Sequence, residues 1–152
     1  MTVREGLRFF AQLHGVRGPQ LDRDIEKWIE KVALGEHAAK RVDELSKGNA
    51  QKVQFLVSLL HRPPLLVLDE PFAGLDPVNV RILKEAVREL ADEGTAVLFS
   101  SHRMEHVEEL CDQVCLIDGG RRSCRAPSLK CGKRPAYTSC AWRTSTCRPW
   151  GG

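Results

Sequence analysis

The 152-residue sequence lacks features that mark several common protein classes. It has no apolar run near the roughly 20 residues that a membrane-spanning helix needs, and its first residues lack the apolar core of a secretory signal. Its six cysteines include no Cys-x-x-Cys pair, the spacing typical of zinc sites. No internal repeat is present either. We therefore expect no membrane-spanning helix, no targeting segment in the first residues and no repeat architecture.

The sequence also lacks the P-loop pattern, Gly-x-x-x-x-Gly-Lys followed by Ser or Thr, whose backbone amides hold phosphate groups. The most similar stretch is Cys131-Gly132-Lys133. It has no preceding strand pattern, no earlier glycine at the right distance, and Arg134 in place of the hydroxyl residue. We do not expect this stretch to hold phosphate.

Acidic residues are absent from positions 121–152, which carry eight Lys or Arg. Residues 1–120, by contrast, hold 15 basic and 20 acidic side chains. The same tail contains four of the six cysteines but no Val, Ile, Phe or Met. We expect no helix or strand that buries a core from such a composition.

Three interpretations of this tail remain open. Its positive charge, with Tyr137, Trp142 and Trp150, would suit nucleic acid or an anionic membrane surface. Its four cysteines would suit zinc, although their spacing is poor and no histidine follows His106. We favour the third interpretation, a frame-shifted or otherwise non-native extension, and expect no nucleic-acid partner.

A short apolar run that ends on two carboxylates is the most informative feature that is present. Residues 65–68 are all Leu or Val, which predicts a strand of a parallel sheet covered on both faces. Asp69 and Glu70 follow at the carboxyl end of this strand, where ligands bind in open α/β folds. Asp69 could hold Mg²⁺ and Glu70 could polarise an attacking water. An acidic turn leaving the core is the alternative for such a pair taken alone.

A second candidate feature, upstream, is a predicted helix start. Ser46 and Gly48 open a segment whose apolar residues recur at helical spacing over residues 53–60. The unpaired N–H groups and the positive dipole end of such a helix bind phosphate. A plain N-cap at Ser46 explains the same residues when the segment is taken alone.

Downstream, two further strands are predicted over residues 95–99 and 114–117. His102 follows the first of them. At the same sheet edge as the two carboxylates, its ring could donate a hydrogen bond to a phosphate. A surface cap is the alternative for an isolated histidine. Residues 77–92 are predicted to form an amphipathic helix between the carboxylates and this strand.

The amino-terminal residues predict another helix. Thr2 and Glu5 have capping-box spacing. We expect Leu7, Phe10 and Leu13 to continue its apolar face.

Together, these motifs resemble those of the ATP-binding subunits of ABC transporters. Residues 45–49, Leu-Ser-Lys-Gly-Asn, are similar to that family's Leu-Ser-Gly-Gly-Gln signature, and residues 65–70 to its Walker B strand. Residues 74–76 are similar to its D-loop, and His102 to its switch histidine. The Lys and Asn within the signature most resemble ABC-2 type exporters. The resemblance covers residues 1–121.

The resemblance implies a site for ATP and Mg²⁺ formed between two subunits arranged head to tail. It implies that Asp69 holds the metal, that Glu70 is the general base and that His102 contacts the γ-phosphate. The signature of one subunit would close on ATP held by the other, and a D-loop residue would couple the two sites. These nucleotide-contacting residues are Ser46, Lys47, Gly48, Asn49 and Asp76.

The resemblance also implies partners, a location and a fold. The partners are a second ATP-binding subunit and a membrane permease subunit, with the chain cytoplasmic and peripheral on the inner face of the cell membrane. The fold is α/β, a partial P-loop NTPase (ABC ATPase) fold. In it, residues 1–44 are a helical subdomain remnant and residues 45–121 are the signature helix with the Walker B, D-loop and switch-histidine half of the parallel sheet. Residues 122–152 form the basic tail, disordered or frame-shifted.

The leading hypothesis is an ATP-binding subunit that couples ATP binding and hydrolysis to membrane transport, here a fragment without a P-loop. Because that missing part supplies central strands in the family, we expect an incompletely covered sheet face or edge, and weak or no hydrolysis by this chain alone. The alternative is a non-catalytic interaction protein that docks its signature helix on a complete ATPase partner. The DNA-repair and chromosome branch of the same superfamily ranks lower, because only 44 residues, without sustained heptads, precede Leu45.

Overall fold

The computed structural model describes residues 1–118, 121–127 and 138–143. The helices are α1 (Val3–Leu13), α2 (Pro19–Lys31), α3 (Lys47–Leu59), α4 (Pro77–Asp92) and α5 (Met104–Leu110), with short 3-10 turns at Gly35–His37 and Val42–Glu44. The strands are β1 (Leu65–Leu68), β2 (Ala96–Ser100), β3 (Gln113–Asp118), β4 (Arg121–Pro127) and β5 (Thr138–Arg143). Among these described elements, no helix has the length and apolar content of a membrane span.

The chain divides into two compact units. The first contains Met1–Pro64 and Phe72–Val87, and the second contains Leu65–Pro71 and the described residues from Arg88 onward. Helices α1, α2 and α3 therefore share the first unit with the start of α4, whereas all five described strands belong to the second. The division at residues 44 and 121 that the sequence suggests stays a prediction.

Helix α1 begins with the capping box that its sequence predicts. The Oγ1 atom of Thr2 accepts a hydrogen bond from the backbone N–H of Glu5 at 3.3 Å. In return, the Glu5 carboxylate accepts one from the backbone N–H of Thr2 at 2.8 Å. Two of the otherwise unpaired N–H groups at the helix start are satisfied in this way.

The apolar face of α1 differs from the predicted one. Phe10 is 36% exposed and Leu13 is 68% exposed, whereas Val3, Leu7 and Ala11 are buried. Steps of four residues stay on one face of a helix with 3.6 residues per turn, but repeated steps of three drift around it. The prediction that Leu7, Phe10 and Leu13 share the buried face is therefore wrong for the last two.

The core of the first unit is made by apolar side chains of its helices and of the segments between them. Burial of these side chains is the main stabilising contribution in a helical unit of this size. The members that are at most 6% exposed are Val3, Leu7, Ala11, Leu21, Ile25, Trp28, Ile29, Val32, Leu34, Ala38, Val53, Phe55, Leu56, Leu59, Leu60, Phe72, Leu83, Ala86 and Val87.

The second unit is built on a five-stranded sheet with the order β1-β2-β5-β3-β4. Strand β1 pairs in parallel with β2, and β5 pairs in parallel with both β2 and β3. Only β4, paired with β3, is antiparallel among the described strands. Strands β1, β2 and β3 and helix α4 lie within a residue of their predicted limits.

Strand β1 is covered on one face only. Leu66 is 3% exposed, whereas Leu65 is 53% and Val67 is 63% exposed. The prediction of cover on both faces is therefore wrong, because the side of β1 that carries Leu65 and Val67 is exposed. The exposed apolar pair agrees with the expectation of an incompletely covered sheet.

The basic tail contains two strands where none was expected. Strand β4 begins at Arg121, and β5 lies between β2 and β3. Sheet pairing is made by backbone N–H and C=O groups, so a scarcity of apolar side chains does not prevent it. The rest of the tail lies outside the described residues, and so do the side chains on which the nucleic-acid and zinc interpretations depend. The frame-shifted origin stays a prediction.

Replacement of Leu56 by Ala tests the core of the first unit. Leu56, on α3, is fully buried, so we expect Leu56→Ala to lower the free energy of unfolding by about 2–5 kcal/mol. Leu13→Ala, on the exposed side of α1, should change it by less than about 0.5 kcal/mol. Urea unfolding followed by circular dichroism measures both values. Equal losses in the two variants would contradict the buried face assigned here.

Candidate functional site

The carboxyl ends of β1 and β2 meet at one edge of the sheet. The two strands are parallel, and Leu68 pairs with Phe99. The next residues along each strand, Asp69 and Ser100, therefore lie side by side. This arrangement brings the two predicted acids to the segment that carries His102.

One hydroxyl group connects both acids. The Oγ atom of Ser100 donates a hydrogen bond to Oδ1 of Asp69. The same oxygen accepts a hydrogen bond from the backbone N–H of Glu70 at 2.9 Å. Ser100 was not among the residues that the sequence singled out.

Glu70 adopts a backbone conformation that is uncommon for a residue with a side chain. Its φ is 45°, in the left-handed region. The turn ends β1 and brings the Glu70 carboxylate next to His102, whose Nδ1 lies 2.8 Å from Oε1 of Glu70. The His102 ring is exposed and the Glu70 carboxylate is partly exposed, so both can be reached from solvent.

The chemistry of this edge suits Mg²⁺ held largely by water and phosphate. Mg²⁺ prefers oxygen ligands and is commonly bound by one or two protein carboxylates together with substrate phosphates. In the described part of the chain, Oδ2 of Asp69 accepts no hydrogen bond, and no group of three or more His, Cys, Asp or Glu could hold a metal by itself. Asp69 can supply one such oxygen, and Glu70 and His102 can supply proton transfer.

The second group of predicted residues lies at the start of α3, in the first unit. Ser46 is the N-cap residue, and its hydroxyl accepts a hydrogen bond from the backbone N–H of Asn49 at 3.3 Å. Ser46 and Lys47 are exposed, and Gly48 and Asn49 are half-buried. The predicted N-cap is present, and a phosphate-binding role for this helix start stays a prediction.

The predicted D-loop residues contact this helix start. A β-carbon placed on Gly48 would lie 3.3 Å from Cδ2 of Leu75 and 3.6 Å from Nδ2 of Asn79. Gly74, with a φ of 72°, lies beside the Lys47 ammonium, because a β-carbon there would be 3.5 Å from Nζ. The structure thus brings residues of the signature and the D-loop together, as their sequence separation alone could not show.

Asp76 holds the start of helix α4. Its Oδ1 accepts a hydrogen bond from the backbone N–H of Asn79 at 3.2 Å, and its Oδ2 accepts one from the Asn79 side chain at 3.0 Å. This is the arrangement of an N-cap residue. The coupling role that the resemblance implies for Asp76 stays a prediction.

Lys52, on α3, is a further residue that the sequence did not single out. It is only 2% exposed, which is rare for a lysine. Burial lowers the pKa of its ammonium from the ordinary value of 10.5, and the nearby Asp76 carboxylate partly offsets this by raising it. The sequence offers one signal of this burial: Lys52 lies in a predicted helix, one residue before Val53, at a position whose spacing matches that of the apolar residues.

Comparisons with known proteins agree with these features. Residues 7–107 match the family model described as "AAA domain, putative AbiEii toxin, Type IV TA system". The chain is 50% identical over 121 residues to the uncharacterized ABC transporter ATP-binding protein YhaQ of Bacillus subtilis, covering 80% of this chain and 41% of the relative. It is 37% identical over 120 residues to the ABC transporter ATP-binding protein NatA of the same species, covering 79% of this chain and 49% of that relative.

A solved structure described as the ATP binding subunit of an ABC transporter is also similar. It matches with a TM-score of 0.77 and 30% identity, over 84% of this chain and 53% of the other. The chain thus spans about half the length of the relatives and of the structure it matches.

Replacement of Lys52 by Met tests the buried ammonium. The folded-state pKa of Lys52 is lowered, so the unfolded chain binds more protons just below pH 10.5, and the wild-type free energy of unfolding should rise with pH there. Lys52→Met removes this titration. We therefore expect the free energy of unfolding of the wild type, relative to that of Lys52→Met, to increase from pH 7 to pH 10. Urea unfolding at both pH values measures this difference.

Lys47→Met is the matched control for this measurement. The Lys47 side chain is on the same helix but is exposed, so its replacement removes the same charge without removing a buried ammonium. A Lys52→Met protein with the same pH dependence as the wild type would contradict the assigned cause.

Proposed function

We propose that this chain, which belongs to the AAA-domain family whose model matches residues 7–107 and is similar to ATP-binding subunits of ABC transporters, carries the signature, Walker B, D-loop and switch-histidine part of such a subunit. The predicted α/β, partial P-loop NTPase fold is confirmed by the structural match. In the proposal, the complete subunit binds Mg-ATP and hydrolyses it to drive transport. The P-loop that this sequence lacks comes from elsewhere in the complete protein.

The convergence of Asp69, Glu70 and His102 at one sheet edge is the observation that carries this proposal. Asp69 and Ser100 are neighbours across paired strands, and Glu70 and His102 are joined at 2.8 Å. A simple acidic turn leaving the core would not require Asp69 to be hydrogen-bonded to a hydroxyl group and Glu70 to an imidazole ring.

Each of these residues has a distinct proposed task. Asp69 directs one carboxylate oxygen towards the water shell of Mg²⁺, which polarises the phosphate oxygens when bound. Glu70 accepts a proton from the attacking water at its carboxylate. His102 donates to that carboxylate from Nδ1, and when both ring nitrogens carry a proton, Nε2–H donates to a phosphate oxygen.

The proposed tasks of the first-unit residues concern a second subunit. Ser46 and Lys47 are exposed at the positive end of α3, and Gly48 allows the close approach of Leu75. In the proposal, this surface closes on ATP that a second subunit holds. Asp76, which caps the start of α4, couples the two ATP sites of the dimer. A membrane permease subunit is the further proposed partner, which would place the complete protein in the cytoplasm, at the inner face of the membrane.

Replacement of Glu70 by Gln tests the proposed general base. The parent for this experiment is a fusion that places a P-loop half of an ABC ATPase before Met1, because the phosphate cradle is needed for turnover. General-base catalysis contributes about 10²–10⁴-fold, so we expect Glu70→Gln to lower kcat at least 100-fold while ATP binding changes little. Phosphate release and equilibrium nucleotide binding measure the two effects.

Glu36→Gln is the matched control. Glu36 is an exposed carboxylate in the first 3-10 turn, so its loss should leave kcat unchanged. A Glu70→Gln fusion that turns over ATP as fast as its parent would rule out Glu70 as the base. Rapid hydrolysis by the unfused chain, lost in Glu70→Gln, would rule out the need for a separate P-loop.

A second candidate function is non-catalytic docking on a complete ATPase partner. The observation in its favour is that the α3 start, with exposed Ser46 and Lys47, is formed within the described residues of this chain. This surface could serve a partner's ATP site without any turnover by the chain itself.

Replacement of Ser46 by Arg tests this docking. We expect a complete ABC ATPase subunit to retain the wild-type chain on affinity resin only with ATP and Mg²⁺, and to lose it at least about tenfold on Ser46→Arg, because a bulky side chain blocks a close helix-to-phosphate approach. Gln12→Arg adds the same charge to an exposed position of α1 and should leave retention unchanged. Equal retention of both variants, or retention without ATP, would contradict docking through α3.

A further inference from the structure

We propose that Ser100 is a positioning residue that holds Asp69 and Glu70 in their working geometry, an inference that rests on the proposed ATPase function. Ser100 touches neither metal nor nucleotide in this proposal. It acts through the two acids that the proposed function assigns to the site. No motif singled out in the sequence contains it as a functional residue.

A serine hydroxyl suits this role because it donates one hydrogen bond and accepts others at the same oxygen. Towards Asp69, the Ser100 hydroxyl is the donor. Towards the backbone N–H of Glu70, it is the acceptor, at 2.9 Å. A single side chain thus fixes the carboxylate of one acid and the peptide of the next.

The bond to Asp69 sets the orientation of the metal-facing carboxylate. A hydrogen bond to an ionised carboxylate is among the stronger ones in proteins. Because Ser100 takes Oδ1, the carboxylate cannot rotate without losing that bond, and Oδ2 is left for the water shell of a cation. In the described residues, no other side chain is hydrogen-bonded to this carboxylate.

The bond to Glu70 restrains an unfavourable backbone conformation. A φ of 45° is uncommon for a residue with a β-carbon and persists where surrounding contacts over-determine it. The Glu70 N–H points to Ser100, while the carboxylate at the far end of the residue is held by His102 at 2.8 Å. Glu70 is therefore held at both its peptide and its acid group.

Strand register explains why position 100 can perform this task. Leu68 and Phe99 are partners in the parallel ladder of β1 and β2, so the residue after Phe99 lies beside Asp69. A short side chain with a hydroxyl bonds both Asp69 and the adjacent peptide from there. Alanine lacks the oxygen, whereas threonine keeps it.

Amide exchange of the full chain, measured residue by residue by NMR, tests the proposal without nucleotide. In Ser100→Ala, the Glu70 amide should exchange about tenfold faster than in wild type, the factor expected for loss of one hydrogen bond. The rate is taken relative to the Val97 amide in the same sheet, which removes any change in global stability. Ser100→Thr should restore slow exchange.

Ser101→Ala is the matched control. The Ser101 hydroxyl is buried and accepts a hydrogen bond from the backbone N–H of Arg103 at 3.2 Å, not from the acids. Its loss should leave the relative exchange of Glu70 unchanged. Unchanged Glu70 exchange in Ser100→Ala, or an equal rise in Ser101→Ala, would overturn the proposal.

Titration of the same proteins with Mn²⁺ alone links the geometry to the metal. Mn²⁺ should broaden the amide signals of Glu70 and Ser100 in wild type, and Asp69→Asn should abolish the effect. We expect Ser100→Ala to need about tenfold more Mn²⁺ and Ser100→Thr to behave as wild type. A side chain with a purely structural role would leave the required concentration unchanged, which would overturn the positioning role.

The two measurements separate failure of this inference from failure of the proposed function. If Mn²⁺ broadens no signal in wild type while Ser100→Ala still speeds Glu70 exchange, the result supports the hold of Ser100 on the acids and counts against a metal site at Asp69. If Mn²⁺ binds equally well to wild type and Ser100→Ala, the metal site stands and the positioning role is overturned.

Discussion

The parallel pairing of β1 with β2 is the interaction on which the candidate site depends. Backbone hydrogen bonds fix Leu68 opposite Phe99, and this register determines which side chains meet beyond the strand ends. A shift by one residue would place Ser101 beside Asp69 and would move every side chain of the shifted strand to the opposite face of the sheet. The site is therefore specified by the same backbone contacts that build the sheet, and its precision follows from a scaffold of regular structure rather than from a loop.

In the first unit, the contact between the start of α3 and the D-loop segment depends on close approach of the chain rather than on strand register. A β-carbon at Gly48 would approach Leu75 tightly, at 3.3 Å, and would be in ordinary contact with Asn79, and Gly74 adopts a φ that favours glycine. Two glycines therefore let the start of α3 and the D-loop segment lie in contact. Asp76 and the buried Lys52 add an electrostatic connection between the same segments. Shape and charge thus act on one contact between parts of the chain that are about 25 residues apart.

Much of this architecture could be predicted from the residues. The run Leu65–Leu68, the capping box of Thr2 and Glu5 and the helix Pro77–Asp92 follow from local patterns that tertiary contacts leave intact. The partners of the predicted acids could not be foreseen, since Ser100 is about 30 residues from Asp69 along the chain and is brought beside it by strand pairing. The exposed face of β1 was missed because Leu65 and Val67 are as apolar as the buried Leu66. Strands β4 and β5 were missed because pairing through backbone groups leaves little trace in side-chain pattern.

The position of β5 also bears on the order in which the sheet can form. Strands β2 and β3 follow each other along the chain, yet they are not neighbours, because β5 lies between them and comes later in the sequence. During synthesis, β2 and β3 therefore leave the ribosome before the strand that joins them. Both must wait with unpaired edges, and contacts of this large sequence separation form slowly. The period between translation of residue 118 and pairing of residues 138–143 is thus the time at which a nascent chain of this kind would most benefit from a chaperone.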